Sequence, residues 1–196
     1  GILFKIMEWP VRKGRAFDKT IAFLYEAFEA KTPDAKQALV KRLQSTQMGL
    51  SILALLPSYP ADLNKYIVDG FLDLTDADLL RMSVDRTAAH CVEAFLNTTH
   101  STISQKARSK ICRKLVPSAA DLAVHPAGSF VLERAFQAAP IDVKEAIANQ
   151  LALARKRVQE SRCGTIIMRK MAIEQYERQR EEWRKSFLSV DKKRSI

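Results

Sequence analysis

The sequence predicts an all-α protein built from repeated helical units, and three observations carry that prediction. Apolar residues recur at three- and four-residue spacing, while the period-two alternation of strands is hard to find. Pro57, Pro60, Pro117 and Pro140 lie between apolar stretches, which predicts short helices with tight connections. A short motif also recurs at nearly constant spacing, as a solenoid of stacked repeats requires.

Three helices begin with N-terminal signals. Thr32-Pro33-Asp34 has the order of an N-cap, a first-position proline and a first-turn acid, ahead of a helix over Ala35 to Leu43. Thr75 to Asp78 and Ser118 to Asp121 resemble capping boxes with Asp in place of Glu, each before an apolar run. We therefore expect the Thr75 and Ser118 side chains to cap helices.

The recurring motif is nine residues long and aligns without gaps at three places. Its small fourth residue suits a helix start where two backbones approach closely. The copies are Asp85 to Glu93 with Ala88 fourth, His125 to Glu133 with Gly128 fourth, and Ser161 to Arg169 with Gly164 fourth, the fourth places being 40 and 36 positions apart. A fainter copy, Thr46 to Ala54, lies 39 positions before the first, so we count four candidate units.

Within each copy the fifth, sixth and ninth residues share one face of a helix. The seventh and eighth residues are apolar in all three copies, which predicts that they lie in the core. The shared face is therefore expected to point outward. Its occupants are Ala89, His90 and Glu93 in the first unit, Ser129, Phe130 and Glu133 in the middle unit, and Thr165, Ile166 and Arg169 in the last.

The middle unit, His125-Pro-Ala-Gly-Ser-Phe-Val-Leu-Glu133, resembles the pumilio-type (PUF) RNA-binding repeat. In that family two positions four apart contact a base edge, and the residue between them stacks on a base. The resemblance covers about Gln47 to Met171. It implies a right-handed α-solenoid that binds RNA without catalysis.

The ending Arg162 to Met171, followed by Gln175-Tyr176 and Glu181-Glu182-Trp183, is similar to the nucleolar pumilio-like proteins of ribosome assembly, particularly the fungal nucleolar protein nine type. This resemblance implies a nucleolar protein, inside the nucleus, that acts in small-subunit ribosome biogenesis. The implied partners are pre-ribosomal RNA, at least partly single-stranded, and ribosome-assembly proteins. We expect the chain to be monomeric.

The family pattern assigns base contacts residue by residue. Ser129 and Glu133 are expected to supply the two acceptors that guanine N1–H and N2–H₂ require, with Phe130 as the stacking platform. The other two units match less completely. In the first, His90 can stack and Glu93 can accept but Ala89 offers no polar atom; in the last, Thr165 can bond, Arg169 meets a phosphate or a base, and Ile166 cannot stack as an aromatic would.

Each of these side chains also has a structural alternative. A Phe on a helix often lies in the core, and Glu133 can pair with Arg134 or with nearby lysines on a solvated surface. His90 and His125 invite a metal or catalytic interpretation. His125, however, occupies the place of Asp85 in the sister unit, which favours a capping or packing role.

The basic charge is concentrated towards the C-terminus. Residues 155–196 hold 13 basic and 6 acidic side chains, which gives +7 of the total formal charge of +10, whereas residues 61–100 carry −4. Such polarity favours a polyanionic partner. The expected phosphate contacts are Arg155, Lys156, Arg157, Arg162, Lys170, Arg113 and Lys114, the last two within an acid-free patch that also includes Lys106, Arg108 and Lys110.

The sequence carries no motif of an enzyme, a metal site or a cofactor site. It lacks a P-loop, GxSxG, HExxH, a dinucleotide fingerprint and any Cys/His group of ligand spacing. No apolar run is long enough to cross a membrane. Cys163, at an apolar repeat place beside Arg162, is expected to be a buried structural thiol.

These observations divide the chain into four segments. We expect a preceding partial repeat over 1–45, PUF-like repeats over 46–172, a C-terminal capping helix over 173–190 and a basic tail over 191–196. Ile173, Tyr176, Trp183 and Phe187 supply the apolar stripe of the capping helix. The apolar start without a polar cap suggests that the chain is the C-terminal region of a larger protein.

An alternative is an armadillo- or HEAT-like scaffold whose basic groove holds an acidic peptide or an assembly partner. Both classes stack helical repeats around a concave face. The register of a small residue, Ser, Phe and Glu is unnecessary for peptide binding and expected for base reading. That register favours RNA without excluding the scaffold.

Overall fold

The helices follow one another with short connections in the computed structural model, which describes residues 68–86, 88–97 and 103–194. Within these ranges there is no strand, and no helix is long and apolar enough to cross a membrane. The helices are α1 (Asp76–Val84), α2 (Ala88–Leu96), α3 (Gln105–Leu115), α4 (Ala119–Val124), α5 (Pro126–Ala138), α6 (Ile141–Leu153), α7 (Arg155–Gln159), α8 (Arg162–Lys170), α9 (Ile173–Arg178) and α10 (Arg180–Arg194). The partial repeat expected over 1–45, its capped helix after Thr32 and the faint unit Thr46 to Ala54 lie outside the described residues.

The helices stack as repeated units in two rows. Each copy of the nine-residue motif forms the start of α2, α5 or α8, and α5 packs against both of the other two. Behind them α3 contacts α6, and α6 contacts α9 and α10. Because each unit contacts its neighbours in sequence, the prediction of an all-α solenoid is confirmed.

Each of the three repeated helices begins with the same hydrogen bond. The side chain of the first residue of the motif accepts from the backbone N–H of the fourth residue, one of the donors that a helix start leaves unpaired, and this first residue is the N-cap of α5 and α8. The bonds are Ala88 N to Asp85 Oδ1 at 2.8 Å, Gly128 N to His125 Nδ1 at 3.3 Å, and Gly164 N to Ser161 Oγ at 3.4 Å. The register and the capping role of His125 are therefore confirmed.

The small fourth residue lies where the preceding short helix comes close. A Cβ added to Gly128 would lie 3.0 Å from the Leu122 carbonyl oxygen, and one added to Gly164 would lie 2.0 Å from the Val158 carbonyl oxygen. The expected close backbone approach is confirmed. It is tightest at the last unit.

Of the two other predicted caps, one forms and one does not. Thr75 Oγ1 accepts from Asp78 N at 3.1 Å and donates to Asp78 Oδ2 at 2.8 Å. Ser118 makes no side-chain cap bond, because a 3₁₀ turn over Val116–Ser118 leads directly into α4, and the Ala119 amide already donates to the Val116 carbonyl. The predicted Ser118 cap is wrong.

The core runs without interruption through the units. The seventh and eighth residues of the three described motif copies are buried, as predicted; they are Cys91, Val92, Val131, Leu132, Ile167 and Met168. Burial raises the pKa of the Cys112 thiol to about 12, and its sulfur lies 3.4 Å from the Ala135 carbonyl. Cys163 is half-buried, so the expectation that it is a buried thiol is wrong.

The C-terminal end consists of two helices, where the sequence predicts one over 173–190. The break lies at Gln179, and Ala172 before α9 adopts a left-handed φ of 50°. Trp183 is fully buried and donates from Nε1 to the Met171 carbonyl at 2.8 Å. The predicted apolar stripe is confirmed, since Ile173, Tyr176 and Trp183 are buried and Phe187 packs against them.

Candidate nucleic-acid interface

The α2–α5–α8 row places the predicted base-contacting residues side by side. The sixth residue of each unit points outward: the side chain of His90 is 68% exposed, and Phe130 and Ile166 are 61% and 38% exposed. The fifth residues differ, since Ala89 and Ser129 are buried and Thr165 is exposed. The row thus presents one protruding sixth residue in each described unit, and the fifth residue beside it is buried in the first two units.

In the middle unit the Ser129 hydroxyl is bonded within its own helix. Ser129 retains 8% of its surface, and its Oγ donates to the Pro126 carbonyl at 2.9 Å. With that proton directed at Pro126, the oxygen presents its lone pairs to a further partner. Ser129 can therefore accept a hydrogen bond, as a guanine edge requires.

Glu133, the second predicted acceptor of the middle unit, forms an ion pair with α8. Its two carboxylate oxygens accept from Lys170 Nζ at 2.8 and 2.7 Å, and Gln137 Nε2 lies 3.4 Å from Oε1. The sequence assigns Lys170 to phosphate instead. Its separation of 37 residues from Glu133 is about one repeat, and that spacing is the only trace of the contact in the sequence.

The first unit offers one acidic and one aromatic group. His90 Nδ1 lies 3.7 Å from Glu93 Oε1, and the Glu93 side chain is 23% exposed. Burial raises the pKa of Glu93, while the charges of His90 and Arg134 oppose that rise. Ala89 is buried and adds no polar atom, so this unit has half of a base-reading pair.

The last unit carries a shallow hollow on the outer face of α8, lined by Arg162, Thr165, Ile166 and Arg169. Thr165 Oγ1 lies 3.0 Å from the Ser161 carbonyl and 3.1 Å from the Gln159 carbonyl, so its proton stays within the chain. The two guanidinium groups give this unit donors where the middle unit has an acidic acceptor.

Most of the cations assigned to phosphate are paired with acids of other helices. Arg113 Nη2 donates to Asp142 Oδ2 at 2.9 Å and holds the pKa of Asp142 below its usual value. Arg155 pairs with Glu177, Arg157 with Asp121 and Lys170 with Glu133. Lys156 and Arg162 are exposed and have no acidic partner among the described residues.

The second patch is not the continuous acid-free surface that the sequence predicts. Asp142 lies beside Arg113, and Lys114 Nζ donates to the Leu72 and Leu74 carbonyls at 2.8 and 2.5 Å. Arg108 is buried and donates to the Ile103 carbonyl at 2.6 Å. Arg108, Arg113 and Lys114 are therefore already bonded to other groups of the protein, although they lie close together in the sequence. Only Lys106 and Lys110 remain exposed on α3 without a described bond.

The stacked helices and the repeated motif at their starts can now be compared with known protein families. A family model described as the NOP9-like PUF repeat domain matches residues 14–166. The chain belongs to this family. The resemblance of the middle unit to a PUF repeat is thereby confirmed. No group of three or more metal-ligating side chains occurs among the residues that the structure describes.

Two curated relatives are similar to this PUF segment. Pumilio homolog 23 of Arabidopsis thaliana is 25% identical over 137 residues, which are 70% of this chain and 18% of the relative. Nucleolar protein 9 of Coccidioides posadasii (strain C735) is 27% identical over 172 residues, 84% of this chain and 23% of the relative. The chain therefore spans about a fifth of the length of these relatives.

Solved structures confirm the fold of the segment. APUM23 with the oligonucleotide GGAGUUGACGG superimposes with a TM-score of 0.72 at 21% identity, over 80% of this chain and 33% of that chain. APUM23 with GGAUUUGACGG gives a TM-score of 0.72 at 20% identity, over the same shares. The helical-repeat architecture of the segment is thus a PUF solenoid.

Proposed function

We propose that this PUF segment is a non-catalytic RNA-binding module whose middle unit reads a guanine. The observation that carries the proposal is the arrangement around Phe130, an exposed aromatic ring between two groups that can accept hydrogen bonds. Ser129 Oγ donates to the Pro126 carbonyl and so presents its lone pairs outward, and both Glu133 carboxyl oxygens accept from Lys170. Guanine offers two adjacent donors, N1–H and N2–H₂, to such a pair.

The stacking platform contributes independently of base identity. Stacking of a base on an aromatic side chain is worth about 1–3 kcal/mol by alanine substitution, and every base has a face to stack. Phe130, at 61% exposed, is free to receive one. His90 and Ile166 flank it on the neighbouring helices, so a single strand laid along the row meets one such side chain per unit.

Phosphate contacts supply the share of the affinity that does not depend on sequence. Lys156, Arg162 and Arg169 are exposed near the start and on the outer face of α8, without acidic partners in the described ranges. Neutralising phosphates releases counterions and makes binding salt-dependent. We assign the phosphate role to these three side chains ahead of the cations already paired with acids.

The deciding experiment measures binding of the chain to a randomised single-stranded RNA pool at two salt concentrations. The wild type should enrich a motif with a required guanine. The double variant Phe130→Ala, Glu133→Ala should no longer enrich that motif. Its dissociation constant for an RNA carrying the wild-type motif should be roughly 5- to 150-fold higher, the range that 1–3 kcal/mol of stacking gives. The proposal is wrong if the double variant enriches the same motif as the wild type.

A matched control removes the same chemistry elsewhere. Leu153→Ala, Glu182→Ala deletes one exposed apolar side chain and one exposed carboxylate at the end of α6 and on α10, away from the α2–α5–α8 row. Its net charge change equals that of the test variant. It should enrich the wild-type motif with unchanged affinity.

We further propose that the full-length protein acts on pre-ribosomal RNA in the nucleolus. The support is the similarity to a relative named Nucleolar protein 9. Crosslinking of the tagged full-length protein, followed by sequencing of the bound RNA, should recover pre-ribosomal transcripts. Recovery of other RNA classes instead would contradict the assignment while leaving base reading by the segment intact.

A further inference from the structure

The ion pair between Glu133 and Lys170 crosses the seam between two recognition helices. Both carboxylate oxygens accept from the single ammonium, at 2.7 and 2.8 Å. Glu133 is the ninth residue of the middle motif, and Lys170 follows the ninth residue of the last motif. A base-reading residue of one unit is therefore held by a cation of the next.

A weaker form of this relation joins the first and middle units. Arg134 follows the ninth residue of the middle motif, as Lys170 does in the last, and its charge acts on Glu93, the ninth residue of the first motif. The contacts themselves differ, since Arg134 Nη1 donates to Gln137 at 3.3 Å and Glu93 lies 3.7 Å from His90. The direct contact between neighbouring units is the one between Glu133 and Lys170.

The ammonium and a guanine edge compete for the same carboxylate lone pairs, since both offer only donors at that point. The pair is partly solvated, with Lys170 47% and Glu133 24% exposed, and exposed pairs of this kind are weak. A guanine can therefore displace the ammonium. When another base stacks on Phe130, Lys170 keeps Glu133 paired, and the mismatch leaves no buried acceptor without a partner.

We propose that Lys170 is a specificity-determining residue for the middle unit. It lowers the preference of that unit for guanine by pairing with Glu133 whenever another base is bound. The inference rests on the proposed function, because it requires that Glu133 reads a base. It assigns Lys170 to tuning selectivity, a role separate from general attraction of phosphates. Selectivity and affinity respond differently to its removal.

The test compares RNAs enriched by the wild-type chain with the same RNAs in which one guanine is replaced by adenine. The readout is the dissociation constant of the adenine RNA divided by that of the guanine RNA, because the loss of one positive charge weakens both RNAs equally and cancels in this ratio. Glu133→Gln identifies the position that Glu133 reads as the one whose preference disappears. At that position, Lys170→Met should raise this ratio, and with it the preference for guanine, about two- to fivefold, the range expected from releasing a weak surface pair.

Two control variants separate selectivity from charge. Lys170→Arg keeps a cation that can pair with the carboxylate, and its ratio should stay at the wild-type value or fall below it, because a guanidinium can pair bidentately. Lys156→Met removes the same charge from an exposed residue on α7 that does not pair with Glu133, and it should weaken both RNAs while leaving the ratio unchanged.

Each outcome decides one of the two proposals. If Glu133→Gln removes a preference but Lys170→Met leaves the ratio unchanged or lowers it, the role of Lys170 is overturned and base reading stands. If no position loses its preference in Glu133→Gln, base reading by Glu133 is overturned, and the role of Lys170 with it.

Discussion

At Gly164 the absence of one methyl group allows two backbones to meet. Alanine would gain about 1 kcal/mol of helix propensity, but its Cβ would lie 2.0 Å from the Val158 carbonyl oxygen. Overpacking of this kind typically costs about 1–3 kcal/mol, and a backbone atom cannot turn aside. We expect Gly164→Ala to lower the free energy of unfolding by about 1–3 kcal/mol, measured by urea denaturation.

Gly128→Ala is the matched control for that substitution. The nearest atom to its added Cβ is the Leu122 carbonyl oxygen at 3.0 Å, a contact that a small shift relieves. The first unit already carries a methyl group at this place, in the buried Ala88. We expect a change within about 1 kcal/mol, of either sign. Equal losses at both glycines would contradict the geometry.

Side-chain exposure was predictable at some places of the motif and not at others. The outward position of Phe130 and the burial of Val131 and Leu132 follow from helical periodicity, which the sequence displays directly. The pairing of Glu133 with Lys170 does not, because it depends on how far one helix is shifted along the next. Local sequence contains no measure of that shift.

The repeated helices depend on a side chain placed before the first turn. Ser161 Oγ accepts from Gly164 N at 3.4 Å and donates to the Val124 carbonyl at 3.2 Å, so it caps α8 and ties it to α4. Loss of a Ser cap costs about 0.5–2 kcal/mol. We expect Ser161→Ala to lower the free energy of unfolding by that amount, measured as a shift of the urea midpoint without a change in slope.

Ser118→Ala provides the comparison on an element of the same kind. Ser118 precedes α4 and makes no side-chain cap bond, because in the 3₁₀ turn the Ala119 amide already donates to the Val116 carbonyl. Its replacement should change the free energy of unfolding by no more than about 0.5 kcal/mol. A larger loss at Ser118 than at Ser161 would refute the assignment of the caps.

Two helix ends differ in whether the local sequence predicts them. The cap at Thr75 was predictable because an N-cap and its partner lie three residues apart. The break at Gln179 was not, since the apolar spacing continues across it. What interrupts the helix is tertiary: Trp183 packs against Tyr176 and bonds the Met171 carbonyl, and a straight helix would not bring these groups together.

Across the part of the chain that the structure describes, fewer cations lack an acidic partner than the composition suggests. On single strands, log K falls against log salt by about 0.7 for each phosphate neutralised. We expect Lys156→Met, Arg162→Met to reduce the magnitude of that slope by about 1.4 if both residues contact phosphate, measured by titrating the RNA pool between two salt concentrations. An unchanged slope would place the phosphate contacts elsewhere.

The control for that measurement removes a charge pair and leaves the net charge unaltered. Arg178 pairs with Glu174 at 2.8 Å on the surface of α9, one turn apart. Arg178→Met, Glu174→Gln should leave the salt slope at its wild-type value. A fall in slope in this variant would show that paired cations also release their acids and bind phosphate.

The architecture could be predicted from the sequence more fully than the charge distribution. Constant motif spacing implies stacking of neighbours, and the structure confirms it. The surplus of +7 in residues 155–196 gave no sign that Arg157 pairs with Asp121, 36 residues earlier. Net charge is a property of composition, whereas its availability to a ligand depends on which helices are adjacent.

The distances along the chain between bonded residues bear on how the molecule yields to force. Lys114 bonds Leu72 across 42 residues and Lys170 bonds Glu133 across 37, so each of these contacts joins a unit to an adjacent one. A pull applied to the two ends would load these seams in series. The chain should extend in successive steps, each releasing one unit's length of polypeptide, and shorten again by re-docking that unit on its intact neighbour.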